Sequence, residues 1–264
     1  MVLLVLAGCT KPDPGPIVQP LESTLGAAVP AAYFAAVSMA ALNGGSAPCA
    51  NVATPAGAST VKVNVSLGPT CPPMFGAGEN GTVVVTGAWT PQLATFVMDF
   101  TGVTDGGSPL FVEGIASMTV TPSSDNHLLI GYGEEDISVS TGSDAGGGIE
   151  QVGWVVDVDT AGTDDPTDDA ITVSGGDQSL LAVGGEAPVA DLTQVGLGDA
   201  VFNPNCRRNP NSGIAAVQRA GNLGGGWVLF HFHTACDGTA DVAAALAPYE
   251  PLITDSLPLA FLQN

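Results

Sequence analysis

Between Val61 and Leu67 apolar and polar positions alternate without a break, with Lys62, Asn64 and Ser66 separating Val61, Val63, Val65 and Leu67. A period of two sends the two sets to opposite faces of an extended chain, so this stretch predicts a half-buried β-strand. Runs of similar character predict further strands over 82–89, 93–101, 110–120, 127–132, 136–140, 150–158, 170–174, 179–183, 214–219 and 226–234. Asn80-Gly81, Asp105-Gly106 and Asp237-Gly238 supply turn chemistry near several of their ends. Many closely spaced strands with no long helix between them predict a mainly β chain, its antiparallel sheets arranged as a sandwich or a barrel.

Upstream of the strands the pattern changes. Residues 30–42, from Pro30 through Tyr33, Phe34 and Val37 to Leu42, predict a helix with proline in its first turn and Asn43-Gly44-Gly45 as its stop. Its apolar side is expected to pack on the β body. A second, short helix is predicted from Thr239 to Ala247. The resulting organisation is a signal remnant over 1–8, an anchor and proline-rich linker over 9–29, and a folded body over 30–264. The body is expected to divide into two related halves near 45–145 and 146–264. Gly81 to Phe100 aligns without a gap to Gly213 to Phe232, pairing Val85 with Val217 and Ala88 with Ala220. Each segment follows a cysteine placed two residues after a proline, Pro69-Thr70-Cys71 and Pro204-Asn205-Cys206.

The 264 residues hold 26 acids against 5 lysines and arginines, a formal charge of −21. That balance repels phosphate backbones and excludes general nucleic-acid binding. Nineteen of the acids fall between Asp99 and Asp199, and no lysine or arginine occurs from 63 to 206. With Lys11 and Lys62 as the only lysines, a phosphate-binding Gly-Lys-Ser/Thr loop and a serine-lysine dyad have almost no candidates.

At the amino terminus, residues 2–7 are continuously apolar and lead into Gly8-Cys9-Thr10. Six residues cannot cross a bilayer, which needs about 20. Leu6-Ala7-Gly8-Cys9 resembles the lipobox of bacterial lipoproteins. The resemblance implies a diacylglycerol thioether on Cys9, loss of residues 1–8, export, and attachment to membrane through that lipid. Thr10 in place of aspartate after the cysteine implies, by analogy with enterobacterial sorting, the outer membrane. No basic stretch precedes Val2, so the signal is expected to start upstream of Met1. The segment Lys11-Pro12-Asp13-Pro14-Gly15-Pro16 is expected to hold the body off the lipid.

Export bears on the remaining cysteines. Cys49, Cys71, Cys206 and Cys236 are an even set in an oxidising compartment, which favours two disulfides over a zinc site. Three connectivities are open, and Cys49–Cys71 with Cys206–Cys236 closes the more local loops.

Two patterns could carry chemistry. Counted from Asp157, acids fall at positions 3, 9 and 12 (Asp159, Asp165, Asp168) and Gly162 at position 6, a spacing that resembles an EF-hand calcium loop. Ala161 and Asp168 depart from that loop's ligand pattern. The alternative is an acidic, solvated hairpin tip. His231 and His233 share one strand face and could ligate a transition metal if His127, Asp237 or another acid supplied a third group, leaving a position for water. Otherwise they are hydrogen-bonded strand histidines. Arg207-Arg208 could clamp an anion or pair with local aspartates. The expected function is a lipid-anchored envelope protein with a binding, adhesive or structural role toward a protein or small molecule, needing no cofactor. The alternatives are a calcium-dependent binding module and a metallohydrolase.

Overall fold

The computed structural model describes residues 15–45, 47, 49–54, 60–68, 80–104, 110–123, 126–133, 136–141, 145–150, 153–163, 165, 167–183, 192–206, 210–219, 227–235, 238–246 and 250–258. One helix, α1 (Gly15–Leu42), precedes fifteen strands. These are β1 (Ala50–Val52), β2 (Val61–Leu67), β3 (Asn80–Thr90), β4 (Leu93–Thr104), β5 (Leu110–Pro122), β6 (His127–Tyr132), β7 (Asp136–Thr141) and β8 (Ala145–Glu150). They continue as β9 (Val155–Asp159), β10 (Ala170–Val183), β11 (Leu192–Phe202), β12 (Ser212–Arg219), β13 (Trp227–Phe232), β14 (Thr239–Leu246) and β15 (Glu250–Pro258).

All strands join one antiparallel sheet in the order β1-β2-β3-β4-β5-β6-β9-β10-β11-β12-β13-β14-β15. Between β5 and β10 the sheet divides. The first half of β5 pairs with β7 and its second half with β6. On the far side, β10 pairs with β9 through residues 170–174 and with β8 through 178–183. Tyr132 and Trp154 sit where the paths part, their rings edge to face at 5.3 Å. The Tyr132 hydroxyl donates to the Ala28 carbonyl of α1 at 3.0 Å.

The helix explains the sheet's shape. It touches β1 and β2, β5 and β7 to β12. A flat sheet could cover only one side of a helix, and α1 is covered on all of them, so the strands curl around it. Helix residues from Thr24 to Met39 are buried on every side. A helix without a polar face belongs in a core, and its alanines (Ala27, Ala28, Ala31, Ala32, Ala35, Ala36) let the sheet approach closely. Phe34 makes the larger contacts, meeting Tyr33 at 5.6 Å and Phe100 of β4 at 6.0 Å. The alternating strand positions complete the core, with Val63, Val65, Val83, Val85, Phe96 and Met98 no more than 1% exposed.

The mainly β, antiparallel architecture matches the expectation, as one open sheet curled around α1. Three details differ. First, α1 begins at Gly15, fifteen residues before Pro30, and carries Pro16, Pro20 and Pro30 within it. An interior proline removes a helical hydrogen bond and costs about 3 kcal/mol, which the burial of Leu21, Leu25 and Ala27 to Val29 offsets. The region expected to be linker therefore contributes to the core. Second, α1 is enclosed, where packing along one side was expected. Third, Thr239–Leu246, within the segment expected to be a helix, is strand β14, paired with β13 along Trp227 to Phe232. Its alanines favour helix locally, but Ala240 and Val242 are buried while Asp241 faces solvent, the period of a strand.

The helix stop lies where the sequence predicts. Gly44 takes a φ of 81°. The amides of Gly44 and Gly45 donate to the carbonyls of Ala41 and Ala40 at 3.2 and 2.8 Å. This is a Schellman closure built on the left-handed conformation that glycine adopts freely. The two segments proposed as a duplication, Gly81 to Phe100 and Gly213 to Phe232, fall on β3–β4 and β12–β13. Gly81 and Gly213 are each the second residue of a strand, with φ of 121° and 98°.

Candidate functional site

Loop 160–169, between β9 and β10, folds over the β5–β6 turn at the end of the body where α1 terminates. Asn126 and Ala161 hold φ of 64° and 50° beside Gly162 at 73°, which lets the two turns interlock. The Thr160 amide and hydroxyl both donate to the Asn126 carbonyl, at 2.9 and 2.7 Å.

The four carboxylates of the EF-hand-like spacing do not converge. Asp157 Oδ1 lies 2.9 Å from His127 Nδ1 on the neighbouring strand. Asp159 accepts the Ala161 amide at 3.0 Å. Asp165 accepts the Thr167 amide at 3.0 Å and its hydroxyl at 2.7 Å. Asp168 accepts the Thr163 hydroxyl at 2.8 Å. Each carboxylate serves a different local donor, and these bonds shape the loop.

What the loop does line is a half-open pocket of about 120 Å³ against the helix end. Asp169 lies in its lining and is 3% exposed, the one charged side chain among the buried polar residues described. Thr160, Thr163 and Asn43 supply its other polar groups, and Met39 and Leu128 apolar wall. Sequence reasoning missed this group. The signal present was Asp169 itself, the last acid before an apolar strand, but its burial depends on α1, about 130 positions earlier.

A second cluster sits at the β13–β14 turn. His233 Nδ1 lies 2.7 Å from the Thr239 hydroxyl oxygen, and its Nε2 lies 3.0 Å from Asp241 Oδ1. With Asp241 accepting the Nε2 proton, a neutral ring presents the Nδ1 lone pair to the hydroxyl. The Asp241 side chain is 70% exposed, and the three groups tie the strand ends across the turn. His231 is exposed and opposite Asp241 in the ladder, while Val228, Phe230 and Phe232 point into the core, as strand alternation predicts. His127 is five strands from β13, about 24 Å along the sheet, and is no third ligand for this pair. Among the described residues no group of three or more His, Cys, Asp or Glu side chains is arranged to hold a metal ion.

Cys49 and Cys206 are buried and neither is a free thiol. Cys9, Cys71, Cys236, Asp237, Arg207 and Arg208 lie outside the described residues. The chain matches no known family model, no curated protein and no solved structure.

Proposed function

We propose that this chain is an exported lipoprotein, acylated on Cys9, whose helix-filled β body is a binding module displayed from a bacterial outer membrane. The observation that carries the reading is the Leu6-Ala7-Gly8-Cys9 lipobox followed, after only residues 10–14, by a helix that becomes core. Five extended residues span at most about 18 Å, so the lipid would hold the body close to the surface by the amino end of α1. A 28-residue helix is about 42 Å long, which supports an orientation with the 160–169 loop and its cavity directed away from the bilayer. That arrangement keeps loop carboxylates clear of anionic headgroups. The oxidising location fits disulfides Cys49–Cys71 and Cys206–Cys236, each worth on the order of 3 kcal/mol by loop closure.

Intact-mass measurement of the chain expressed in a bacterial host tests the proposal. The expected product begins at Cys9 and carries a diacylglycerol. Cys9→Ser should abolish the lipid mass and release the body from the membrane fraction. An unmodified Cys9 in cytosolic material with reduced thiols would overturn it.

A further inference from the structure

We infer that one row on the outer face of the sheet, running from Glu150 through Gln178, Gln194 and Gln218 to Trp227, is a binding site for an uncharged oligosaccharide chain. The inference goes beyond the envelope reading and does not depend on acylation of Cys9.

The strand register assembles the row. Gln178 of β10 stands opposite Glu150 of β8 on one side and Gln194 of β11 on the other. Gln194 stands opposite Gln218 of β12, and Gln218 opposite Trp227 of β13. Residues directly opposite one another across a ladder share a face. Val195, Val217 and Val228, each next in sequence to a member of the row, are buried in the core. Alternation therefore sets the row on the face turned away from α1. Three of the chain's seven glutamines and one of its three tryptophans thus fall on four neighbouring strands in a single row. Elsewhere the outer face has a different character: the exposed positions of β3 to β5 are held largely by threonine, Thr82, Thr86, Thr95 and Thr119 among them.

The chemistry of the row selects the ligand. A carboxamide carries two donors and an acceptor oxygen in one plane, which complements neighbouring sugar hydroxyls that each donate one proton and accept others. Tryptophan brings a broad apolar ring, suited to the C–H face of a pyranose, together with an N–H donor. Glu150 adds a hydroxyl acceptor at the end of the row. Adjacent strands lie about 4.8 Å apart, so the five positions repeat over about 19 Å. A periodic row of mostly neutral groups fits a periodic neutral chain. Glu150 and the overall charge of −21 disfavour an acidic one. A peptide could not add here as a further strand, because β10 to β13 are hydrogen-bonded to a neighbour along both sides.

Gly196 supports the same reading independently. It stands between Gly176 and Ala216 in the next outward row, two residues from Gln194. Glycine weakens a strand interior and marks a bulge, a bend or a place of close approach. The register runs unbroken through Gly196, and its φ is not left-handed. Among the described residues, a Cβ there would meet only the Ala216 carbonyl oxygen, at 4.0 Å. Neither backbone conformation nor packing among these residues requires glycine, and the bare position leaves room for a sugar ring beside the glutamines.

Isothermal titration of the full chain with cellohexaose, maltohexaose, mannohexaose and N-acetylchitohexaose tests the site, with heparin as the acidic comparison. At least one of the neutral chains should bind saturably and at least tenfold more tightly than heparin. Trp227→Ala and Gly196→Leu should each weaken that binding at least tenfold, and the double variant Gln194→Ala with Gln218→Ala at least threefold. Binding of none of the four, heparin binding as tight as theirs, or undiminished binding by a folded Trp227→Ala or Gly196→Leu chain overturns the inference. If those two variants fail to fold, the glutamine pair decides, and undiminished binding there overturns it.

Discussion

At the residue scale the backbone constrains this molecule most tightly at a few glycines. Gly175 lies at a register shift in β10 with a φ of 97°. A Cβ there would stand 2.2 Å from the Gly153 carbonyl oxygen, a backbone atom that cannot swing away. Gly175→Ala is therefore expected to destabilise the fold by about 2 kcal/mol or more, seen as a lower urea midpoint. Gly131 makes the control: its Cβ would meet nothing within 4 Å, so Gly131→Ala should change stability by less than about 0.5 kcal/mol. Equal effects at the two sites would show that the close approach is not what requires glycine. The irregularity was legible in the chain, since Ser174-Gly175-Gly176 interrupts the apolar alternation and divides the predicted strands 170–174 and 179–183. The structure carries one fourteen-residue strand across that break, kinked at the bulge. Asp169 shows the opposite case. Alternation places it, unlike Asp168, on the face of Ile171 and Val173, but the wall that buries it is the end of a distant helix.

At the scale of elements, α1 is what the sheet folds around, and its composition works in two directions. Phe34 is fully buried and contacts Phe100, so Phe34→Ala should cost about 3–5 kcal/mol through lost burial and the void left behind. Ala32 is also fully buried on a crowded helix, so Ala32→Leu should cost about 1–3 kcal/mol by overpacking, although leucine is an adequate helix former. Urea unfolding of both variants checks the pair. A neutral Ala32→Leu would mean that the sheet does not close tightly on that side. The helix stop was readable because Asn43-Gly44-Gly45 is local chemistry. Its start was not, because Pro20 and Pro30 argue against helix until the enclosing sheet is known. The same reason hid β14, whose alanines favour helix until β13 offers a ladder.

For the whole molecule the dominant long-range term is charge. Twenty-six acids face five lysines and arginines, and among the described acids only Asp169 is buried. Compact like charge repels itself, and an expanded chain relieves that repulsion, so electrostatics favours unfolding at low salt. Raising sodium chloride from about 10 mM to about 200 mM shortens the screening length from roughly 30 Å to below 10 Å, less than the width of the body. The native state, where the charges are closest, gains more from that screening than the unfolded chain. Tm should therefore rise with salt, by about 2–8 °C if the relief is about 1–2 kcal/mol for a chain of this size. Among the described residues the pairs that salt would weaken are His127–Asp157 and His233–Asp241, which are ionic only when the imidazole is protonated; both are partly solvated and each is worth at most about 1 kcal/mol. A Tm that falls across this range would mean that attractive pairing outweighs repulsion, and that the acids are placed against the few cations more effectively than their numbers suggest.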